Sequence, residues 1–338
     1  IGDRMQCSTY FKKGNNCVVQ CNNHPNYKLT ATTQQEQTQD ILKAVLKCIN
    51  TSNKMPVRMH GITMLNLFEL DVETNLGCKC KVISSLSLGP LGIQIGPEFK
   101  NGSKVHAVLK WILTRLKIHG LDIEEIDHSY TTRVISLLTP STTPNLKHLI
   151  LPVNYNDIKM VRILTDIRPL NLESLILTGY YSSNNDSLLR LISGMVTLKY
   201  LGIRGSGLTP CSIPILRPLF NLRVLDVAAN MLGNAGISKI AQIFPKLTHL
   251  WINANDIDNE GAQEVIALKE LRFLDISFNE IGTDGVNLIL SQMSHLEYIH
   301  LMETDTYKDG KIYEPELHLD GWVGSSSTGV YTRYPSPT

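Results

Sequence analysis

Between Leu222 and Glu280 the apolar positions of the chain follow one rule three times over. The copies read LRVLDVAANMLGNAGISKI from Leu222, LTHLWINANDIDNEGAQEVI from Leu247 and LRFLDISFNEIGTDGVNLI from Leu271. Each begins Leu-x-x-Leu-x-Ile/Val, an alternation that predicts a short strand with one face turned inward. Asn follows at Asn230, Asn255 and Asn279, where the strand must end. Its side-chain amide can satisfy backbone groups left open at a bend. The spacing then becomes helical: Gly236-Ile237-x-x-Ile240, Gly261-Ala262-x-x-Val265 and Gly285-Val286-x-x-Ile289 place a small residue and two aliphatics on an inner side.

The same phrase extends beyond these copies. First leucines fall at Leu146, Leu172, Leu198, Leu222, Leu247, Leu271 and Leu296, in steps of 26, 26, 24, 25, 24 and 25 residues. Asn154 keeps the bend position, whereas Tyr180, Ser206 and Thr304 replace it. Such a period marks a stack of supersecondary units. The signature resembles that of the leucine-rich-repeat family, and its Asn-x-Leu/Ile followed by a Gly-Ala-like step resembles the ribonuclease-inhibitor-like branch. The resemblance implies an α/β solenoid, a horseshoe with a parallel sheet on the concave face and helices on the convex face, and a role as a recognition scaffold or inhibitor.

Outside the firm register the pattern weakens. Residues 1–33 are polar with no sustained period; 34–49 carry Ile41, Leu42, Val45, Leu46 and Ile49 on one helical face, which predicts an amphipathic capping helix. Ile62-x-x-Leu65-x-Leu67, Ile83-x-x-Leu86-x-Leu88 and Leu113-x-x-Leu116-x-Ile118 read as degenerate repeat strands at wider spacing, without the Asn. After Met302 the pattern stops, and Gly324-Ser325-Ser326-Ser327 and Pro335-Ser336-Pro337 suggest a partial cap and a flexible end. The expected organisation is a cap over 1–55, degenerate repeats over 56–144, regular repeats over 145–304 and a C-terminal cap or tail over 305–338.

Composition narrows the function. Lys and Arg number 32 against 31 Asp and Glu, a net charge of +1, so no global field draws in nucleic acid or an anionic membrane. No apolar run approaches the roughly 18 residues a membrane-spanning helix needs. Six of the seven cysteines, Cys7, Cys17, Cys21, Cys48, Cys78 and Cys80, lie in the first quarter, with Cys211 apart. Together with the sequons at Asn50, Asn101 and Asn185 they suggest a disulfide-tied secreted protein; the lack of paired-cysteine caps around the repeats points to a cytoplasmic one. The chain opens on Ile1 without an initiator Met, which leaves room for an upstream signal peptide or domain.

Candidate chemistry lies between the repeat leucines. In a curved stack the variable strand positions face the concave side. The first such column holds His148, Ser174, Tyr200, Val224, His249, Phe273 and Tyr298; the second holds Ile150, Ile176, Gly202, Asp226, Trp251, Asp275 and His300. A third contributes Arg204, Asn253, Ser277 and Met302, with Phe278 beside it. Exposed aromatics among a few charges make a protein-binding hot spot. Tyr200, Arg204, Asp226, His249, Trp251, Asn253, Phe273, Asp275, Phe278, Tyr298 and His300 are therefore the candidate contacts for a protein partner. The bland alternatives are that the tail folds back over them or that they are incidental.

Other constellations are weaker. Cys7, Cys17, Cys21 and His24 supply four soft metal ligands, but at spacings unlike those of zinc modules, and a disulfide or free thiols fit better. Asp122, Glu124, Glu125 and Asp127 read as the acidic start of a helix. No nucleophile elbow, phosphate loop or His-pair metal motif occurs, so neither catalysis nor a cofactor is expected. Two other function classes compete with the interaction module. One is the ligand-sensing region of a larger receptor or immune protein. The other is a GTPase-activating regulator of leucine-rich-repeat type, a class that implies an Arg or Asn at the edge of the arc; Arg204 is the only arginine in the concave columns of the firm repeats.

Overall fold

The structure, a computed structural model, describes residues 6–12, 16–21, 66–73, 79–85, 89–95, 110, 113, 118–124, 128–152, 157–179, 186–304, 307–308, 311–312, 317 and 319–333. The chain divides into two compact units, Ile1–Pro152 with Thr165–Ser174, and Val153–Leu164 with Leu175–Thr338.

In the first unit the strands are β1 (Gln6–Lys12), β2 (Asn16–Cys21), β3 (Asn66–Glu73), β4 (Lys79–Ser85), β5 (Gly89–Ile95), β6 (Gly120–Asp122) and β7 (His148–Pro152). Here the structure departs from the repeat pattern. β1 and β2 form an antiparallel hairpin within the stretch expected to be irregular, and β3–β4 and β4–β5 are antiparallel where degenerate parallel repeats were expected. The reason is chain length. Only residues 74–78 join β3 to β4 and only 86–88 join β4 to β5, whereas a parallel crossover needs about a dozen residues or more. Leu113 is helical, not the start of a strand; its i, i+3 spacing to Leu116 serves a helix equally well. The repeat phrase starts instead at Ile118, with Leu121 in parallel register with Leu149 and Ile118, Leu121 and Ile123 all buried. The expected helix over 34–49 lies outside the described residues.

In the second unit the repeat architecture is regular. Its parallel strands run in chain order: β8 (Ser174–Thr178), β9 (Tyr200–Ile203), β10 (Val224–Asp226), β11 (His249–Trp251), β12 (Phe273–Asp275) and β13 (Tyr298–His300). Register is preserved residue for residue, Leu201, Leu225, Leu250, Leu274 and Ile299 forming one row. Helices α1 (Gly233–Ile243), α2 (Asn259–Val265) and α3 (Thr283–Gln292) return the chain. After β9 a 3-10 turn, Ile213–Leu216, takes that place because Pro214 sits at its start. The repeat aliphatics, among them Leu222, Leu225, Val227, Ile237 and Ile240, are at most 1% exposed. Each contributes roughly 1.5–3 kcal/mol by burial.

The asparagines bind the copies together. Asn279 Nδ2 donates to Ile276 O (3.0 Å) and Ser277 O (3.3 Å) within its own bend and to Ile252 O (3.1 Å) of the preceding copy. Its Oδ1 accepts from Asn255 N (3.0 Å) and Ile257 N (3.1 Å). Asn230 makes the corresponding set around Ile203, Val227, Ser206 and Leu208. Where Thr304 replaces Asn, its hydroxyl donates to Leu301 O (2.8 Å) and closes the last bend locally.

A second ladder runs along the helix starts. Asn259 Oδ1 accepts from Gly282 N (2.9 Å) and Gly285 N (3.2 Å), and Asn234 Nδ2 donates to Asp258 Oδ1 (2.7 Å). This explains the recurring glycine: a Cβ on Gly285 would collide with Asn259 Oδ1 and stand 2.8 Å from an Ile281 methyl.

After Thr304 the chain forms further strands among its described residues. It contains a short ladder, β14 (Tyr307–Lys308) with β15 (Lys311–Ile312), and a hairpin, β16 (Trp322–Ser325) with β17 (Val330–Arg333). β17 pairs antiparallel with β13, Tyr298 opposite Thr332 and His300 opposite Val330. The hairpin thus extends the sheet at its open edge. Tyr331 is buried and the Arg333 guanidinium sits 4.5 Å above the Trp322 ring.

Candidate functional site

The open face of the second unit's sheet, opposite its helices, carries the variable columns. Parallel strands stand about 4.8 Å apart, so identical positions in successive copies lie within ring-stacking distance. Phe273 and Tyr298 stack at 4.1 Å between centroids, and Trp251 and Phe273 approach to 4.5 Å. His249 stacks at 5.7 Å from Phe273 and 6.2 Å from Trp251, which in turn parallels Tyr200 at 6.4 Å. Ala228, Val224 and Val330 pack against this array. Val330 comes from the hairpin, a contributor that repeat spacing does not reveal; the alternation Val330-Tyr331-Thr332 was its only signal.

The consequence corrects the expectation of exposed anchors. Trp251 is 7%, Phe273 5% and Tyr298 8% exposed, and Asn253 and Asp275 are buried as well. The rings cover one another and form a rigid apolar floor. What remains accessible is Arg204, exposed, and Tyr200, Asp226, His249, His300 and Met302, partly so. Phe278 stands out at 50% exposed. It occupies the left-handed bend at φ 55°, the slot that Ala229, Ala254 and Glu303 fill in other copies. A bulky side chain there carries strain that the fold does not require.

The two carboxylates on this face are held differently. Asp275 Oδ1 accepts from Ser277 N (3.0 Å) and Ser277 Oγ (2.6 Å), while its Oδ2 lies 3.3 Å from His300 Nδ1. His300 Nε2 faces Thr328 O of the hairpin at 3.2 Å. A neutral imidazole donates to only one of these acceptors, the protonated ring to both. Among the described residues Asp226 Oδ1 accepts from Ala228 N (3.1 Å). Burial raises its carboxyl above the ordinary range, and nearby Asp275 adds to this; the Ala228 N–H and the Arg204 charge act in the opposite direction. Arg204 Nη2 itself donates to Asn253 Oδ1 at 3.4 Å. Burial, reinforced by Asp275, pushes the Tyr298 phenol up to about 12, and burial lowers His249.

The remaining candidates separate from this face. Cys7 and Cys21 stand opposite each other in the β1–β2 hairpin, whereas His24 lies outside the described residues. Among the described residues no group of three His, Cys, Asp or Glu is placed to hold a metal. Asp122 ends β6 and accepts from Glu124 N (2.9 Å), so it braces a strand end, as Asp226 and Asp275 do, instead of opening a helix.

Residues 219–241, 245–265 and 269–290 match the family described as Leucine Rich repeat. These copies are leucine-rich repeats. With the parallel strands alternating with helices, the fold is an α/β leucine-rich-repeat solenoid. Among solved structures, Listeria monocytogenes InlP is similar at 19% identity and a TM-score of 0.33, over 62% of this chain. The match spans 55% of that chain, little more than half its length. No curated protein matches. Among the described residues no helix is long and apolar enough to cross a membrane.

Proposed function

We propose that the chain is a non-enzymatic interaction module and that the open strand face of its leucine-rich repeats docks a protein partner. The observation that carries this reading is Phe278: half exposed, apolar and in a left-handed bend where a smaller residue would relieve strain. Its backbone N–H donates to Met302 O of the next copy at 2.8 Å, and Met302 is itself partly exposed. A rigid floor with a few exposed anchors lowers the ordering entropy of association. Leucine-rich repeats commonly serve as interaction surfaces, and the Asn-to-Gly phrase supports placing these copies in the ribonuclease-inhibitor-like branch.

The test is affinity capture with the full chain as bait, comparing wild type with Phe278→Gly and Phe278→Ala. Both variants are expected to lose the partner while staying folded, Phe278→Gly with its thermal transition unchanged or raised and Phe278→Ala with a stability loss below about 1 kcal/mol. A partner retained by both variants removes Phe278, and with it the reading, from consideration.

A further inference from the structure

Asp226 and Asp275 occupy the same position two copies apart, with Trp251 in register between them. Their surroundings differ in two residues. Ser277, whose hydroxyl donates to Asp275, is replaced beside Asp226 by Ala228. His300, which places Nδ1 against Asp275 from the following copy, is replaced by Trp251, whose indole donates to no described residue. Among the described residues Asp226 has one hydrogen bond where Asp275 has two and a close histidine. Arg204, whose charge reaches Asp226 through space, is exposed and directs Nη2 to Asn253.

We propose, building on the docking face above, that its occupant is an extended polypeptide segment that presents an arginine or lysine to Asp226. A side-chain cation supplies the donors that the Ala228 methyl and the Trp251 indole do not. Its aliphatic stem lies along the floor formed by Trp251 and Tyr200, an arrangement suited to long basic side chains. Asp226, beside Trp251 and less engaged than Asp275, favours a cation over a neutral or acidic side chain at this point, against the opposing charge of Arg204, so it sets specificity more than overall affinity. A charge-assisted hydrogen bond to a partly buried carboxylate is short and strong. Burial and the Asp275 charge both disfavour the ionised Asp226 in the free chain, and an incoming ammonium or guanidinium reverses that balance.

The probe is a set of octapeptide pools, randomised except at one central position fixed as Arg, Lys, Gln, Leu or Glu, tested for retention on the immobilised full chain. The Arg and Lys pools are expected to be retained about tenfold or more over the others. The preference should collapse in Asp226→Asn, an isosteric change whose folding is checked by its thermal transition. Ala228→Ser gives Asp226 the donor that Asp275 already has and is expected to weaken retention of the basic pools. Equal retention of Leu or Glu pools, or an unchanged preference in Asp226→Asn, overturns the cation; if that retention is lost in Phe278→Gly, the docking face itself stands. Retention of no pool also overturns this proposal, and the docking face is then judged by the Phe278 capture experiment.

Discussion

Replacing Phe273 by Ala separates the two roles an aromatic on this face can have. An exposed anchor would be removed with little effect on folding, whereas the structure makes Phe273 part of a floor: 5% exposed, 4.1 Å from the Tyr298 ring and 4.5 Å from the Trp251 ring. A buried aromatic removes about 150 Å² from water, worth about 4 kcal/mol at roughly 25 cal/mol per Å². An alanine methyl recovers about 1 kcal/mol of that, and losing the ring pairs adds about 1 kcal/mol or more. Because the site opens on one side, water fills the gap and keeps the cavity contribution small. The expected loss is about 4 kcal/mol, inside the range for Phe→Ala in a core. Urea unfolding followed by far-ultraviolet circular dichroism measures it, with an unchanged m-value confirming that both end states are preserved. Phe278→Ala is the control; the same atoms are deleted at a residue 50% exposed, and the loss should stay below about 1 kcal/mol. A Phe273→Ala loss as small as that of the control refutes the floor.

Phe278→Gly relieves a left-handed backbone conformation; the relief of about 1–2 kcal/mol outweighs the added unfolded-chain entropy of about 0.5–1 kcal/mol, so the thermal midpoint should hold or rise. Gly285→Ala pushes a methyl into Asn259 Oδ1 and Ile281 and should destabilise by about 1–3 kcal/mol, read as a lower urea midpoint. Asn255→Ala removes donors to Val227 O, Ile252 O and Asn253 O, all buried, at about 1–3 kcal/mol; an effect below about 0.5 kcal/mol would mean water replaces the ladder. His249 is lowered by burial, so the unfolded chain binds its proton more readily. Stability is then full above the ordinary histidine value of about 6.5 and declines as pH falls below it. His249→Gln should flatten the dependence of the urea midpoint between about pH 7.5 and 5.5, and equal slopes in both proteins would contradict the burial of the ring.

The spacing Leu222, Leu225, Val227 and Asn230 was enough to place strand, bend and helix, and the same residues in the copies at Leu247 and Leu271 were enough to stack them. Each such residue meets the same neighbours in every copy, so a local phrase specifies a long-range contact. Asn279 bonds to Ile252 because Asn255 stands in the same relation to Val227. The phrase carries no comparable information about what lies between the leucines. Trp251, Phe273 and Tyr298 read as exposed when each strand is considered alone. They become buried only when neighbouring strands bring their rings to 4.5 and 4.1 Å. Whether Asp226 keeps its donors likewise depends on the copy beside it, through Trp251 where Asp275 has His300.

Strand partners outside the repeats were equally out of reach of the pattern. β3, β4 and β5 fold antiparallel because residues 74–78 and 86–88 are too short to cross over. β17 finds β13 because the last repeat leaves a row of unpaired backbone groups at the sheet edge. The sequence by itself therefore determined the scaffold, since a repeated environment makes local spacing sufficient. Only the tertiary structure decided which residues of the open face are floor and which are accessible, because burial there is a property of adjacent copies and of the hairpin that closes the edge.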